Sequence, residues 1–261
     1  MIRFLEIVKL VSHRVFAWTL FASLLFFTAY SSMIDNTSRL HTPDVNDVTF
    51  SNYHSVSYQK AVKKSRNSAV RLISIEAQTG MVSTFSGTYI ESYGSHFVVT
   101  VAHGLVGPCE FTKVVYDENL HDCIKVIEIN EPQDYAVIQV EEIASRTPIK
   151  IPRDLPKNKQ WNHAFGLLNE VVYTGYPNNI GPLSVGGSVA GANGTQFIYV
   201  DSYAWEGSSG AGVFDSRGKF IGYVIAIDVG ATEFGVQVLN NVVLVVPSFK
   251  IDWLKLITEA E

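Results

Sequence analysis

From Val70 onward, short apolar runs alternate with turn-forming residues. Twelve such runs, from VRLISIEA at Val70 to GVQVLNNVVLVVP ending at Pro247, are rich in β-branched and aromatic residues and are bounded by Gly, Asn, Asp or Pro. That is strand composition. No amphipathic helices alternate with the runs, so hairpins rather than βαβ units should join them. One short helix is predicted before the first strand, over residues 58–69. Another is predicted at the C-terminus, where Phe249, Trp253, Leu254 and Ile257 recur at helical spacing after Pro247-Ser248. The pattern predicts an all-β body, a barrel or a pair of barrels, with a C-terminal helix.

The N-terminus breaks this pattern. Residues 15–34 carry no charge, and twenty apolar residues are about what a helix needs to cross a bilayer. Arg3, Lys9 and Arg14 precede the run and Asp35 follows it, which keeps the N-terminus inside and exports the rest. A cleaved signal peptide is the alternative and would give a secreted protein. However, Thr28-Ala29-Tyr30-Ser31 is a poor cleavage site, and the run exceeds a usual signal core. The expected organisation is a cytoplasmic leader and transmembrane signal anchor over residues 1–34, a polar tether over 35–57, and one extracytoplasmic domain over 58–261.

Composition narrows the function. Of the 261 residues 47% are hydrophobic and only 17% charged, as in a packed protein, and the net charge of −5 offers no footprint for nucleic acid. The chain has no P-loop, GxGxxG or CxxC motif, and its histidines lack zinc-ligand spacing, so neither a cofactor nor a metal is expected. Cys109 and Cys123 flank a hairpin turning at Asp117-Glu118-Asn119. That register sets Cys109 opposite Val126, about three residues from Cys123 at ~3.3 Å each, which argues against a disulfide.

Three places could hold chemistry. The stretch YAWEGSSGAGVFD places Ser208 and Ser209 among glycines, His103 ends the apolar run FVVTVAH, and Asp134 opens the strand YAVIQV after a proline turn. Singly, each has an ordinary role as a turn residue, a core histidine or a strand-capping Asp. Together they meet the needs of acyl transfer: a hydroxyl, an imidazole to take its proton, and a carboxylate to fix the imidazole tautomer. Glycines beside Ser209 would free backbone N–H groups for an oxyanion. Chain order excludes rivals. No histidine follows His163, as a GxSxG nucleophile elbow would require. An Asp-before-His order could recruit only Asp35, Asp44 or Asp47 from the tether.

In this order, STFSGTYIESYGSHFVVTVAHGL, EPQDYAVIQV, NEVVYTGYPNNIGPLSVGGSVAG and EGSSGAGVFDSRGKFIGYV resemble trypsin-like serine peptidases, in particular the HtrA-type protease domain without its PDZ partner. The resemblance spans residues 58–261. It implies two six-stranded antiparallel β-barrels of the chymotrypsin-like kind. It also implies His103 as general base, Asp134 as its orienting carboxylate, Ser209 as nucleophile, and an oxyanion hole from the N–H groups of Gly207 and Ser209 with Ser208. Tyr203, Tyr223, Val224 and Ile225 would lie at the substrate pocket. None carries a carboxylate, so an apolar residue is expected before the scissile bond. The implied function is endopeptidase cleavage of protein or peptide substrates. The rival reading is a non-catalytic binding or scaffold protein that keeps the same double barrel.

Overall fold

A computed structural model describes residues 55–116, 119–151, 165–232 and 235–260, with side chains described outside 226–240. The expected membrane anchor, residues 15–34, lies outside them, and no helix among the described residues is long and apolar enough to cross a membrane.

Helix α1, Val56–Ser68, starts where the Ser55 hydroxyl accepts the Tyr58 N–H, so it claims the last two residues of the expected tether. Its buried face, Tyr58, Ala61, Ser65 and Arg66, follows helical spacing. Then come β1 (Ala69–Ile75), β2 (Val82–Ser92), β3 (Ser95–Thr100), β4 (Thr112–Tyr116), β5 (Asn119–Asn130) and β6 (Tyr135–Val140). They pair in the order β1-β4-β5-β6-β3-β2, and the β1–β2 pairing closes the barrel. Tyr93 and Gly94 join β2 to β3 with positive φ at both positions (49° and 83°), as a two-residue hairpin turn requires.

The second barrel holds β8 (Glu170–Gly175), β9 (Leu183–Asn193), β10 (Phe197–Asp201), β11 (Gly212–Asp215), β12 (Phe220–Thr232) and β13 (Gly235–Pro247), closed in the order β10-β13-β12-β11-β8-β9. All twelve expected strands form. A thirteenth, β7 (Ile149–Lys150), lies parallel to β2 at Ile90 and Glu91. Two residues are too few to leave a periodic signal, so the sequence does not reveal it.

The terminal helices brace the opposite barrels. Helix α1 precedes the first barrel yet packs on the second, where the Ser65 hydroxyl donates to Thr174 Oγ1 at 2.9 Å and Lys64 to the Gly218 carbonyl at 2.8 Å. After β13, a 3₁₀ turn at Ser248–Lys250 leads into α2, Trp253–Ala260, which returns to the first barrel and buries Leu256 in its core. A helix on each side of the double barrel thereby ties it across its middle.

Cys109 and Cys123 form a disulfide with their Cα atoms 5.3 Å apart, against the sequence expectation. The hairpin register itself is as expected, with Tyr116 opposite Asn119 and Lys113 opposite Asp122. The difference is that Cys109 is not in the strand. It starts a 3₁₀ turn, Cys109–Phe111, which folds the chain back instead of advancing it a full strand rise per residue. The bridge closes a loop with a sequence separation of 14. Replacing Cys123 by Ser is therefore expected to lower stability by about 2–4 kcal/mol, read by denaturant unfolding. Addition of a reductant should reproduce the loss in the native chain and leave the variant unchanged.

Candidate active site

His103 and Asp134 meet because β3 and β6 are antiparallel neighbours. Their last pair is Thr100 with Ala136; His103 lies three residues beyond it on one strand, and Asp134 two before it on the other. Asp134 caps the 3₁₀ turn Glu131–Gln133 in the left-handed conformation (φ 48°, ψ 46°), which aspartate tolerates better than most residues. Its two oxygens both engage His103. Oδ2 lies 2.7 Å from the ring Nδ1, and Oδ1 accepts the His103 backbone N–H at 3.0 Å. One carboxylate thus fixes both the backbone and the ring of the histidine. A carboxylate on Nδ1 favours the proton there and leaves Nε2 as the acceptor. The imidazole is about half exposed (54%) and the carboxylate less so (26%).

The loop that carries Ser208 and Ser209 runs from the end of β10 to the start of β11. Gly207 and Gly210 hold positive φ (90° and 87°), and a Cβ on either would strike backbone, the Tyr176 carbonyl at 2.7 Å or the Ser86 carbonyl at 2.0 Å. Each therefore has to be glycine. Following the backbone groups through the loop accounts for its shape. The Glu206 carbonyl accepts from the Asn178 N–H (2.8 Å), and the Ser208 carbonyl from the Ala211 N–H (3.0 Å). The Gly207 carbonyl accepts from the Ser86 hydroxyl (2.6 Å), and the Ser209 carbonyl from the Ser86 N–H (2.8 Å). The Gly210 N–H donates to Val224 at 2.7 Å. Between Gly207 and Ala211, among the described residues, only the N–H groups of Gly207 and Ser209 meet no protein acceptor. Because a trans peptide points N–H opposite to C=O, pinning the carbonyls of Glu206 and Ser208 aims these two N–H groups away from their pins.

Ser208 differs from expectation. Its N–H donates to the Trp205 carbonyl at 2.9 Å, and its buried hydroxyl accepts the Trp205 N–H at 3.2 Å, so it offers neither a free donor nor an accessible oxygen. Ser209 is half-buried and lines, with His103 and Gly207, a cavity of about 530 Å³ that also touches Phe85, Glu206 and Asn178. Its hydroxyl donates to the Ile225 carbonyl at 3.1 Å, and no hydrogen bond joins it to His103 among the described residues.

The four residues expected at a substrate pocket do not line this cavity. Tyr203 is largely exposed and stacks on Trp205, while its carbonyl accepts the hydroxyl of Tyr173. Burial pushes that Tyr173 hydroxyl well above the usual tyrosine range. Tyr223 and Val224 are buried core residues. As strand neighbours they face opposite ways, Val224 into the second barrel's core and Tyr223 into the core between barrels, so neither is left for a pocket wall. Ile225 packs partly against the inter-barrel core and bears on the site through its carbonyl.

Two residues serve the site in ways that sequence reasoning passes over. Tyr223 donates its hydroxyl across the barrels to the Gln133 carbonyl (2.8 Å), directly before Asp134, and so steadies the carboxylate's turn. Burial, with a smaller contribution from the Asp134 charge, holds this phenol protonated far above its ordinary range. Ser86 is the other. In sequence it is one of several Ser and Thr residues along β2, and nothing local marks it.

Comparison with known proteins agrees with the double-barrel fold. The trypsin-like peptidase domain matches residues 85–222, more than half of the chain and a span that includes His103, Asp134 and Ser209. The crystal structure of the serine endoprotease from Yersinia pestis superposes with a TM-score of 0.59 at 17% identity, covering 82% of this chain and 70% of that one; this likeness is one of fold. No curated protein matches. With its two closed six-stranded barrels and the matched domain, the chain belongs to the trypsin-like peptidase family.

Proposed function

We propose that Ser209 is the nucleophile, His103 its general base and Asp134 the group that orients the base. The N–H groups of Gly207 and Ser209 bind the oxyanion. The observation that carries this reading is the double hold of Asp134 on His103, 2.7 Å to Nδ1 and 3.0 Å to the backbone N–H. It leaves the other ring nitrogen as the free acceptor of a residue that lines one cavity with Ser209. In the reaction, a turn of the Ser209 side chain from the Ile225 carbonyl brings its hydroxyl to His103 Nε2. The serine oxygen attacks the scissile carbonyl, and the proton passes to Nε2. The carbonyl oxygen, now negative, takes the two free N–H groups. His103 then returns the proton to the leaving amine, and water repeats the sequence on the acyl-enzyme. Catalytic hydrogen bonds are commonly long or misaligned before substrate binds, so the resting Ser209 orientation is compatible with this route.

The proposed setting is outside the cytoplasmic membrane, with the domain tethered through residues 15–34 and acting on loops or unfolded segments of proteins. Support comes from the charge asymmetry around that uncharged run. The Cys109–Cys123 disulfide, a bond that persists in oxidising compartments, adds to it.

Ser209→Ala is expected to abolish labelling by a fluorophosphonate probe without loss of the cooperative thermal transition; a variant that still labels would refute the assignment. Asp134→Asn should lower kcat by about 10⁴-fold through loss of the correct imidazole tautomer. Gly207→Ala should lower kcat by roughly 10²–10³-fold with KM little changed, as for loss of one oxyanion donor. In cells expressing the full chain, the protein should stay in the membrane pellet after alkaline carbonate extraction. Recovery in the soluble fraction would overturn the tether.

A further inference from the structure

We propose that the hydroxyl of Ser86 is a positioning group for the oxyanion site, holding the peptide units on either side of Gly207 in the orientation that presents the Gly207 N–H to substrate. This rests on the reading that Gly207 and Ser209 bind the oxyanion. Ser86 lies on β2, in the first barrel, and is fully buried. Four hydrogen bonds meet at this one residue. Its hydroxyl donates to the Gly207 carbonyl at 2.6 Å and accepts the Tyr176 N–H at 2.9 Å. Its N–H donates to the Ser209 carbonyl at 2.8 Å, and its carbonyl accepts the Thr100 hydroxyl at 2.6 Å. The residue thus joins the nucleophile loop and the loop after β8, both from the second barrel, to the strand that ends three residues before His103.

The chemistry singles out the hydroxyl. Peptide units are rigid planes that turn about the Cα atoms between them. Gly207, with φ at +90° and no Cβ, is the joint in this loop where such a turn meets least resistance. The Gly207 carbonyl is one arm of that joint, and the Gly207 N–H is the other. Remove the Ser86 hydroxyl and the carbonyl is left buried without a donor, a state that favours rotation toward another partner. The Ser208 N–H turns with that unit and loses Trp205, and the unit before it, which bears the Gly207 N–H, is left held only through the Glu206 carbonyl and Asn178. Serine suits the post because one hydroxyl both donates and accepts. Alanine does neither. Cysteine offers a weak donor of similar shape. Threonine would add a methyl where Gly175 and Gly210 already crowd Ser86.

The role is one of positioning, since Ser86 touches neither the cavity nor the reacting atoms. Its loss should therefore appear in transition-state stabilisation alone. In the full chain, Ser86→Ala is expected to lower kcat by about 10–100-fold, less than the loss of a whole oxyanion donor. The affinity for a peptide boronate, whose tetrahedral adduct occupies the oxyanion site, should fall by a similar factor. KM should hold, as should the peptide affinity measured in a Ser209→Ala background. Ser86→Cys should fall between Ala and wild type. Hydrogen exchange in the segment 204–210 should quicken in both variants.

A folded Ser86→Ala chain with wild-type kcat and boronate affinity overturns the proposal. So does a kcat loss that only tracks a lowered Tm and vanishes on cooling. Should Ser86→Ala fail to fold, Thr100→Val, which frees the Ser86 carbonyl, is expected to show the same kcat and boronate pattern at smaller size, and its absence counts against Ser86. The two readings fail differently. Absence of fluorophosphonate labelling at Ser209 in the native chain refutes the nucleophile assignment, whereas unchanged exchange across 204–210 in the Ser86 variants refutes the positioning role even then.

Discussion

Hydrogen bonds that cross from one barrel to the other carry the whole site, because neither barrel holds the machinery alone. His103 and Asp134 belong to the first barrel and the Ser209 loop to the second. Their separation is set by contacts such as the Ser86 N–H to the Ser209 carbonyl, 2.8 Å, and the Tyr223 hydroxyl to the Gln133 carbonyl, 2.8 Å. These two bonds run in opposite directions. The first barrel reaches out to the serine loop, and the second reaches back to the turn behind Asp134. Each has one fully buried partner, Ser86 or Tyr223, for which a broken hydrogen bond leaves a polar group without water to replace what it lost. Small relative shifts of the barrels are resisted for that reason, and a misplacement of about 1 Å is enough to cost ~10²-fold in rate.

The terminal helices serve the same constraint at longer range. With α1 on the second barrel and α2 on the first, separating the barrels would expose Tyr58 and Leu256 as well as the surface between them. Residues in the connection between barrels add a further tie. Arg146, almost fully buried, donates to the Arg66 carbonyl and to the Tyr176 hydroxyl, both at 2.7 Å, and lies 3.8 Å over the Tyr116 ring. Arg66, likewise buried, donates to the Pro182 carbonyl and the Ser184 hydroxyl. Neither guanidinium meets a carboxylate among the described residues. Carbonyls, hydroxyls and a ring face solvate these charges instead, an arrangement that suits arginine's planar, weakly hydrated head. Through Tyr176, this cluster leads to Ser86 and so to the serine loop.

Much of the architecture is legible in the sequence for a plain physical reason. A strand is a local pattern of β-branched and aromatic residues between turn formers, and each of the twelve expected strands appears near its predicted place. The candidates His103, Asp134 and Ser209 are equally visible, since each interrupts such a pattern with a reactive side chain. What eluded the sequence depends on direction. The disulfide is not legible because a 3₁₀ turn at Cys109 takes the place of a strand rise. The resemblance implies a pocket at Tyr223 and Val224, but alternate strand residues face opposite ways and both faces of β12 are covered there.

The sequence by itself determined the all-β body, the helices before and after it, and the order in which an imidazole, a carboxylate and a hydroxyl arrive along the chain. These follow from local composition and spacing. Only the tertiary structure decided that both Asp134 oxygens hold His103, that the N–H groups of Gly207 and Ser209 are free while that of Ser208 is spent, and that Ser86 stands between the barrels. Each of those depends on a hydrogen bond between residues distant in the chain. No local pattern encodes such a partner, because it is chosen by the packing of the two barrels rather than by the residues on either side.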